Sequence, residues 1–380
     1  MKKIYTLALS LFFVTSIIAQ TSENNSDDPL LLEASYTCDN VSNLAGGIKT
    51  GYGYLGMATI RIGFDTEKAG LWKGGQLFVN AANTHGATPS ADLLGDMQVA
   101  SNIEAGNHTY LQEFWLKQAV GHVELTVGLQ DLNVEFANSE HGALFLNSSF
   151  GILPIISGNV AAPIFPLTSL GLTAKWNITE KTSWLNAAYD GSPTDFDYNP
   201  HNIKWEFVSG DGLLAISELQ QSLDIVGLPG TYKLGIYSHS HIVENNFNST
   251  LADSLNYNTF GAYVYADQKV WAQAERSLGF FVQAGYSPSK ISVNNAYIGI
   301  GANLTGMLSK AKDDVLGLAV AHENFNNGLG SETTIELTWQ KQLFRNIFIQ
   351  PDLQYIIKPS GKNSGLENCL AGIIRLGLAF

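Results

Sequence analysis

The chain is short of charge. Asp, Glu, Lys and Arg make up 14% of it, where an ordinary soluble domain carries about 25%. The charge present leans acidic, 34 Asp and Glu against 21 Lys and Arg, for a formal net charge of −13. A nucleic-acid partner calls for a basic patch, so this balance argues against one. Two cysteines, Cys38 and Cys369, are too few for a disulfide framework. Long hydrophobic runs are missing too. After the first twenty residues there is no stretch of about 18 uninterrupted apolar residues, and no helical membrane span is expected. Yet 45% of the residues are hydrophobic.

What is present accounts for that combination. Residues 1–19 have a basic start (Lys2, Lys3), an apolar run from Ile4 to Ala19 and a small residue at the end, the pattern of a secretory signal peptide. No cysteine near the cut suggests a lipid anchor. Residues 20–29 are polar and acidic and read as a flexible tail. From there to Phe380 short alternating segments recur with no domain boundary. Ala58, Ile60, Ile62 and Phe64 alternate with Thr59, Arg61, Gly63 and Asp65; Val123, Leu125, Val127 and Leu129 alternate with Glu124, Thr126, Gly128 and Gln130. A period of two with one apolar face is a half-buried strand. In an exported, charge-poor chain the expected fold is all-β: a transmembrane antiparallel barrel of about sixteen strands in the outer membrane, apolar faces on lipid and polar faces on a wet lumen.

The last strand fits best of all. Leu370, Ile374, Leu376, Leu378 and Phe380 share one parity, and Arg375 lies on the other. The connections supply an independent sign. Long ones (His85–Thr109, Asp131–Ser169, Gly191–Asp211, Val243–Asn258) fall mostly between odd and even strands, short ones (Gly121, Thr179–Thr182, Leu343–Arg345) between even and odd. Barrels of this kind have short periplasmic turns and long outer loops, which places both termini in the periplasm. Two links, Thr66–Gly74 and Leu223–Gly230, are long for the periplasmic side. Asp131–Ser169 mixes apolar residues with Asn, Ser, Gly and Pro, too greasy for full exposure. It is expected to fold into the pore and narrow it, with a loop folded over the outer rim as the alternative.

Charged side chains facing lipid are costly, so Glu113 and Lys117 on the strand Tyr110–Val120 should point inward. Leu111 and Trp115 share their parity. An aromatic between a carboxylate and an ammonium suits a sugar, which stacks a C–H face and hydrogen-bonds its hydroxyls; alternatively Trp115 belongs to an interfacial aromatic girdle. Parity adds Arg61, Asp65, Glu124, Gln130, Lys175, Trp184, Asn186, Glu336, Asp352 and Arg375 as inward candidates. Of these, Arg61, Glu124, Trp184 and Arg375 join Glu113, Trp115 and Lys117 as expected ligand contacts. No metal or cofactor site is expected. Cys38 and Cys369 lie on the first and last strands, which must be neighbours if the barrel closes, but on opposite faces, so two free thiols are expected.

With these residues in view the chain resembles the carbohydrate-selective porins of the OprB type. The resemblance runs from about Leu30 to Phe380 and is carried by LLLEASYTCDNVSNLAGGIKTG (30–51), GLWKGGQLFVN (70–80), GDMQVASNIEAG (95–106), FLNSSFG (145–151), PGTYKLGIY (229–237) and PDLQYIIKPSG (351–361). Cys38 stands where a small residue is expected. The resemblance implies a sixteen-strand outer-membrane porin passing carbohydrates passively, without catalysis or energy coupling, in contact with outer-membrane lipid and with homo-oligomerisation left open. The alternative within channels is a general porin for small ions and polar solutes. A barrel enzyme would need a nucleophile and a positioned base. His85, His108, His141 and His201 lie near Ser or Asp in the expected loops, but no nucleophile signature accompanies them.

Overall fold

The computed structural model describes residues 28–207, 210–243, 255–289, 291–326 and 328–380. The expected signal peptide and nearly all of the tail lie outside the described residues, as does most of the expected loop Val243–Asn258.

The alternating segments form β1 (Leu30–Gly47), β2 (Gly51–Asp65), β3 (Gly75–Gly86), β4 (His108–Val120), β5 (Val123–Gln130), β6 (Ser169–Asn177), β7 (Thr182–Asp190), β8 (Leu213–Ile225), β9 (Leu228–Val243), β10 (Leu255–Gln273), β11 (Arg276–Tyr286), β12 (Asn294–Thr305), β13 (Asp314–Phe325), β14 (Ser331–Phe344), β15 (Ile347–Ile357) and β16 (Glu367–Ala379). All sixteen join neighbour to neighbour in one closed antiparallel barrel. Closure satisfies the backbone groups that an open edge would present to lipid. β1 meets β16 from Ser35 opposite Ala379 to Asn43 opposite Ala371, and Ala34 and Phe380 exchange both backbone hydrogen bonds (3.1 and 2.8 Å). The terminal strand therefore seals the barrel, as expected.

Short turns (121–122, 226–227, 274–275, 345–346) gather at one end, and 87–107, 131–168 and 191–212 at the other. Residues 66–74 are a longer link at the short-turn end. The expected link Leu223–Gly230 is instead a tight hairpin: β8 runs on to Ile225 and β9 starts at Leu228. Leu32, Ile60, Val127, Leu172, Leu234 and Ile374 are exposed on the outer wall. Cys38 shares that outer parity and sits opposite Leu376, whereas the Cys369 thiol faces inward and donates to Asn43 Oδ1 (3.2 Å). Both cysteines are free.

β5 is too short to cover all of β4, which it pairs only from Phe114 to Val120. The bare edge above is closed by loop residues. Leu111 N donates to His201 O (3.0 Å), Thr168 Oγ1 to Gln112 O (2.7 Å), and Asn202 Nδ2 to Leu111 O (3.1 Å) and Thr168 Oγ1 (2.9 Å). Asn202 sits at φ +49, a left-handed position that asparagine tolerates better than most residues. Asn202→Ala should cost about 1–3 kcal/mol, because buried acceptors on a strand edge lose their donor. A lowered unfolding midpoint in detergent is the expected readout; an unchanged midpoint would show that the edge does not depend on this side chain.

Two long loops fold into the barrel. Residues 132–162 lie along the inner wall of β7–β13. Leu132, Phe136, Phe145, Phe150, Leu153 and Ile155 form one core with Leu185, Tyr189, Tyr237, Tyr263, Tyr265, Phe281 and Tyr297 of the wall. Wall carboxylates hold the loop backbone: Glu218 accepts from Ala137 N (2.8 Å), Asp267 from His141 N (2.9 Å), and Glu336 from Leu146 N (2.6 Å) and Asn147 N (3.1 Å). Residues 87–107 cover β1, β15 and β16 through Leu93, Leu94, Ala100 and Ile103. The two loops join where Asn102 N donates to Leu146 O (2.8 Å) and Ser148 N to Val99 O (2.9 Å). Of the two placements for the longest connection, the lumen is the one adopted, as expected.

Candidate functional site

The infolded loops divide the lumen wall into two kinds of surface. From β7 to β13 the inward side chains are largely aromatic or aliphatic and are sealed beneath 132–162. From β2 to β6 polar and charged side chains are interspersed with the aromatic rings of Phe78, Tyr110 and Trp115, and it is here that most of the expected contact residues converge.

β4 carries the centre. Its register against β3 slips between Asn80 and Ala81, a β-bulge that inserts one residue and reverses parity beyond it. Below the bulge Glu113, Trp115 and Lys117 point inward, as expected. Above it Tyr110 and Gln112 are buried and Leu111 is not, contrary to the shared parity expected for Leu111. Glu113 accepts from Asn80 Nδ2 (3.1 Å) and Trp115 Nε1 (3.2 Å). Trp115 is not a girdle residue. Its ring stacks on Phe78, with centroids 4.9 Å apart and planes at 24°, and Lys117 Nζ stands 5.4 Å from its centroid. With 6% exposure the indole is not the open stacking surface expected of it; Phe78 is the more accessible ring of the pair.

The opposite side of this strip is the loop itself. Glu135 ends the short helix Leu132–Glu135. Its carboxylate lies 3.3 Å from Lys117 Nζ and 3.9 Å from Lys175 Nζ. Glu124 lies 3.8 Å from Lys117 and accepts from Asn177 Nδ2 (2.9 Å). Asp131 caps the helix through Asn133 N (2.9 Å) and takes Gln112 Nε2 (3.0 Å). Burial, and then the Glu113 charge, push the Asp131 carboxyl up to about 7. Burial pushes Glu135 upward too, but Lys117, followed by Lys175 and Lys233, more than offsets it and leaves that carboxyl below its ordinary value. Glu113, Trp115, Lys117, Gln130, Asp131 and Glu135 line one pocket.

Arg61 belongs to the same strip. It faces Asn80 on β3, which faces Glu113 on β4, and lies 4.0 Å from Glu33 with both side chains well exposed. Arg375 is inward but elsewhere. It makes a two-pronged ion pair with Asp39 (Nε–Oδ1 and Nη2–Oδ2, both 2.8 Å) and donates to Asn102 Oδ1 (2.8 Å). It is thus a buried anchor for loop 87–107 and not the ligand contact expected of it. Glu336 is likewise consumed by the loop backbone.

Trp184 requires correction. It faces outward, 42% exposed, beside Trp176, and its indole donates to Ser217 Oγ (2.9 Å). Asn186 follows it outward, accepting from Ser217 (2.8 Å). On β7 the inward residues are Leu185, Ala187 and Tyr189, because the loop makes the lumen side of this strand the greasy one. Several site residues were not expected from the sequence, Phe78, Asn80 and Glu135 among them. Phe78 and Asn80 were reachable from the parity of Gln76, Phe78, Asn80, Ala82 and Thr84. Glu135 carries no local signal, since its partners come from distant strands.

A closed sixteen-strand barrel with an apolar outer wall and a charged strip facing infolded loops defines an outer-membrane diffusion channel, a porin. The chain belongs to the OprB family of carbohydrate-selective porins, whose family model matches residues 49–380. This is a family of channels, not of enzymes. No curated protein sequence matches it. Among solved structures, the high-pH structure of Pseudomonas putida OprB is similar at 19% identity, covering 93% of this chain and 94% of that one with a TM-score of 0.83. The outer-membrane channel DcaP of Acinetobacter baumannii shares 10% identity over 92% and 97% of the two chains, with a TM-score of 0.58. A loop-deletion mutant of the outer-membrane protein OmpT of Vibrio cholerae shares 10% over 93% and 100%, with a TM-score of 0.56.

Proposed function

We propose that carbohydrates diffuse passively through the passage between loop 131–168 and the β2–β6 wall. The observation carrying this reading is the alternation of donors and acceptors on that strip. Lys117, Arg61 and Asn80 donate and Glu113 and Glu124 accept, beside the Phe78–Trp115 stack. A sugar offers both a donor and an acceptor at every hydroxyl, so it can exchange one partner for the next as it moves. Weak, replaceable contacts favour entry without slowing release. In this reading residues 1–19 direct export and are removed, and both termini face the periplasm with the short turns.

Planar-bilayer recording tests it. Glucose or a short oligosaccharide should lower the ion current in a concentration-dependent way, and Lys117→Ala with Glu113→Gln should weaken that block several-fold while the channel stays open. Current indifferent to every sugar tried would leave a general porin for small ions and polar solutes.

A further inference from the structure

The structure assigns Glu135 a role beyond holding the loop. We propose that Lys117, Lys175 and Lys233 form an anion site in the passage that Glu135 occupies as a tethered counter-anion, so that the channel favours neutral over anionic solutes. The proposal rests on the passage described above and names its charge selectivity.

Three strands deliver the lysines to one turn of the loop: Lys117 from β4, Lys175 from β6 and Lys233 from β9. The first two lie 3.3 and 3.9 Å from the two Glu135 oxygens. Lys233 donates to Asn138 O (2.8 Å) and Oδ1 (2.5 Å), three residues on from Glu135, and its charge adds to those of Lys117 and Lys175 in holding the Glu135 carboxyl below its ordinary value. The neighbouring acids are otherwise engaged. Glu124 takes Asn177 and shares Lys117 at 3.8 Å, Glu113 takes Asn80 and Trp115, and Glu218 takes Ala137 N, Tyr263 Oη (2.8 Å) and Gln220 Nε2 (2.6 Å). Asp131 is turned to the helix cap and Gln112. Of these acids Glu135 alone pairs with two lysines.

The loop does not depend on it for anchorage. Its backbone is held by Gln220 Nε2 to Glu135 O (3.1 Å), Tyr265 Oη to Ala137 O (2.6 Å) and Glu218 to Ala137 N. The Glu135 side chain keeps 28% of its surface open and those of Lys117 and Lys175 keep 14% and 19%, so a solute can reach the cluster. A carboxylate or phosphate carried by a solute must displace an ion already bound there, and a neutral sugar need not.

The test is the reversal potential of single channels in a KCl gradient, which involves no sugar and stands whether or not sugars block. Glu135→Gln should move it toward anion selectivity. In proteoliposomes it should raise the gluconate-to-glucose flux ratio several-fold, whereas Glu135→Asp should stay near the parent. Glu135→Gln with Lys175→Gln should bring the potential back toward the parent, which also shows that the single variant is folded. An unchanged potential, or a conductance rise that admits glucose and gluconate equally, would reduce Glu135 to a mechanical tether and overturn the proposal.

Discussion

Arg375→Ala should lower the stability of the barrel by about 3–5 kcal/mol, the cost of leaving a buried charge without its partner. Asp39 is fully buried and faces Arg375 directly across the β1–β16 seam. Apart from Arg375, its side-chain partner among the described residues is Ser101 Oγ (2.7 Å). The guanidinium also holds Asn102, so its loss releases loop 87–107 from the wall as well as weakening closure. Two readouts should move together: a lower thermal midpoint in detergent and a larger, noisier single-channel conductance. Arg375→Lys should recover only part of either, because a lysine cannot make the two-pronged contact. A variant with unchanged midpoint and conductance would mean that the pair is dispensable for both seam and loop.

The second large effect is expected at Phe150. This ring is fully buried and joins Phe145 (5.0 Å) and Phe281 (5.8 Å) in an aromatic trio that links loop to wall. Truncating a buried Phe typically costs about 3–5 kcal/mol. Here most of that cost should fall on loop docking, since no strand pairing depends on Phe150. Phe150→Ala should leave the barrel folded while conductance rises several-fold and sugar block disappears. If block survives, the narrow passage does not depend on the docked loop.

The wall was legible because lipid imposes one rule on every strand. An apolar outer face and a period of two mark where strands run, and an even count with alternating loop lengths sets the topology. Parity says that two faces differ, not which one meets the lumen. On β4 the charges of Glu113 and Lys117 settled that question correctly. On β7 the infolded loop makes Leu185 and Tyr189 the lumen face and sends Trp184 outward. The bulge at Gln112 adds one residue and reverses the parity beyond it, with no mark in the residue pattern, so Leu111 was misplaced. The loop anchors Glu218, Asp267 and Glu336 answer to backbone groups far away in sequence, which no local pattern encodes.

On the proposed reading, solutes cross between loop 131–168 and the β2–β6 wall. Gln76 shares the parity of Phe78 and Asn80 and faces Lys117 across the β3–β4 pair, whereas Thr334 is buried on the far wall. The most direct measurement is glucose flux in proteoliposomes carrying Gln76→Cys, before and after a small hydrophilic thiol reagent, with Thr334→Cys and the parent chain as controls. Modification of Gln76→Cys should sharply reduce flux, glucose should slow the modification, and the controls should be unaffected. Complete labelling of Gln76→Cys with undiminished glucose flux would contradict that reading.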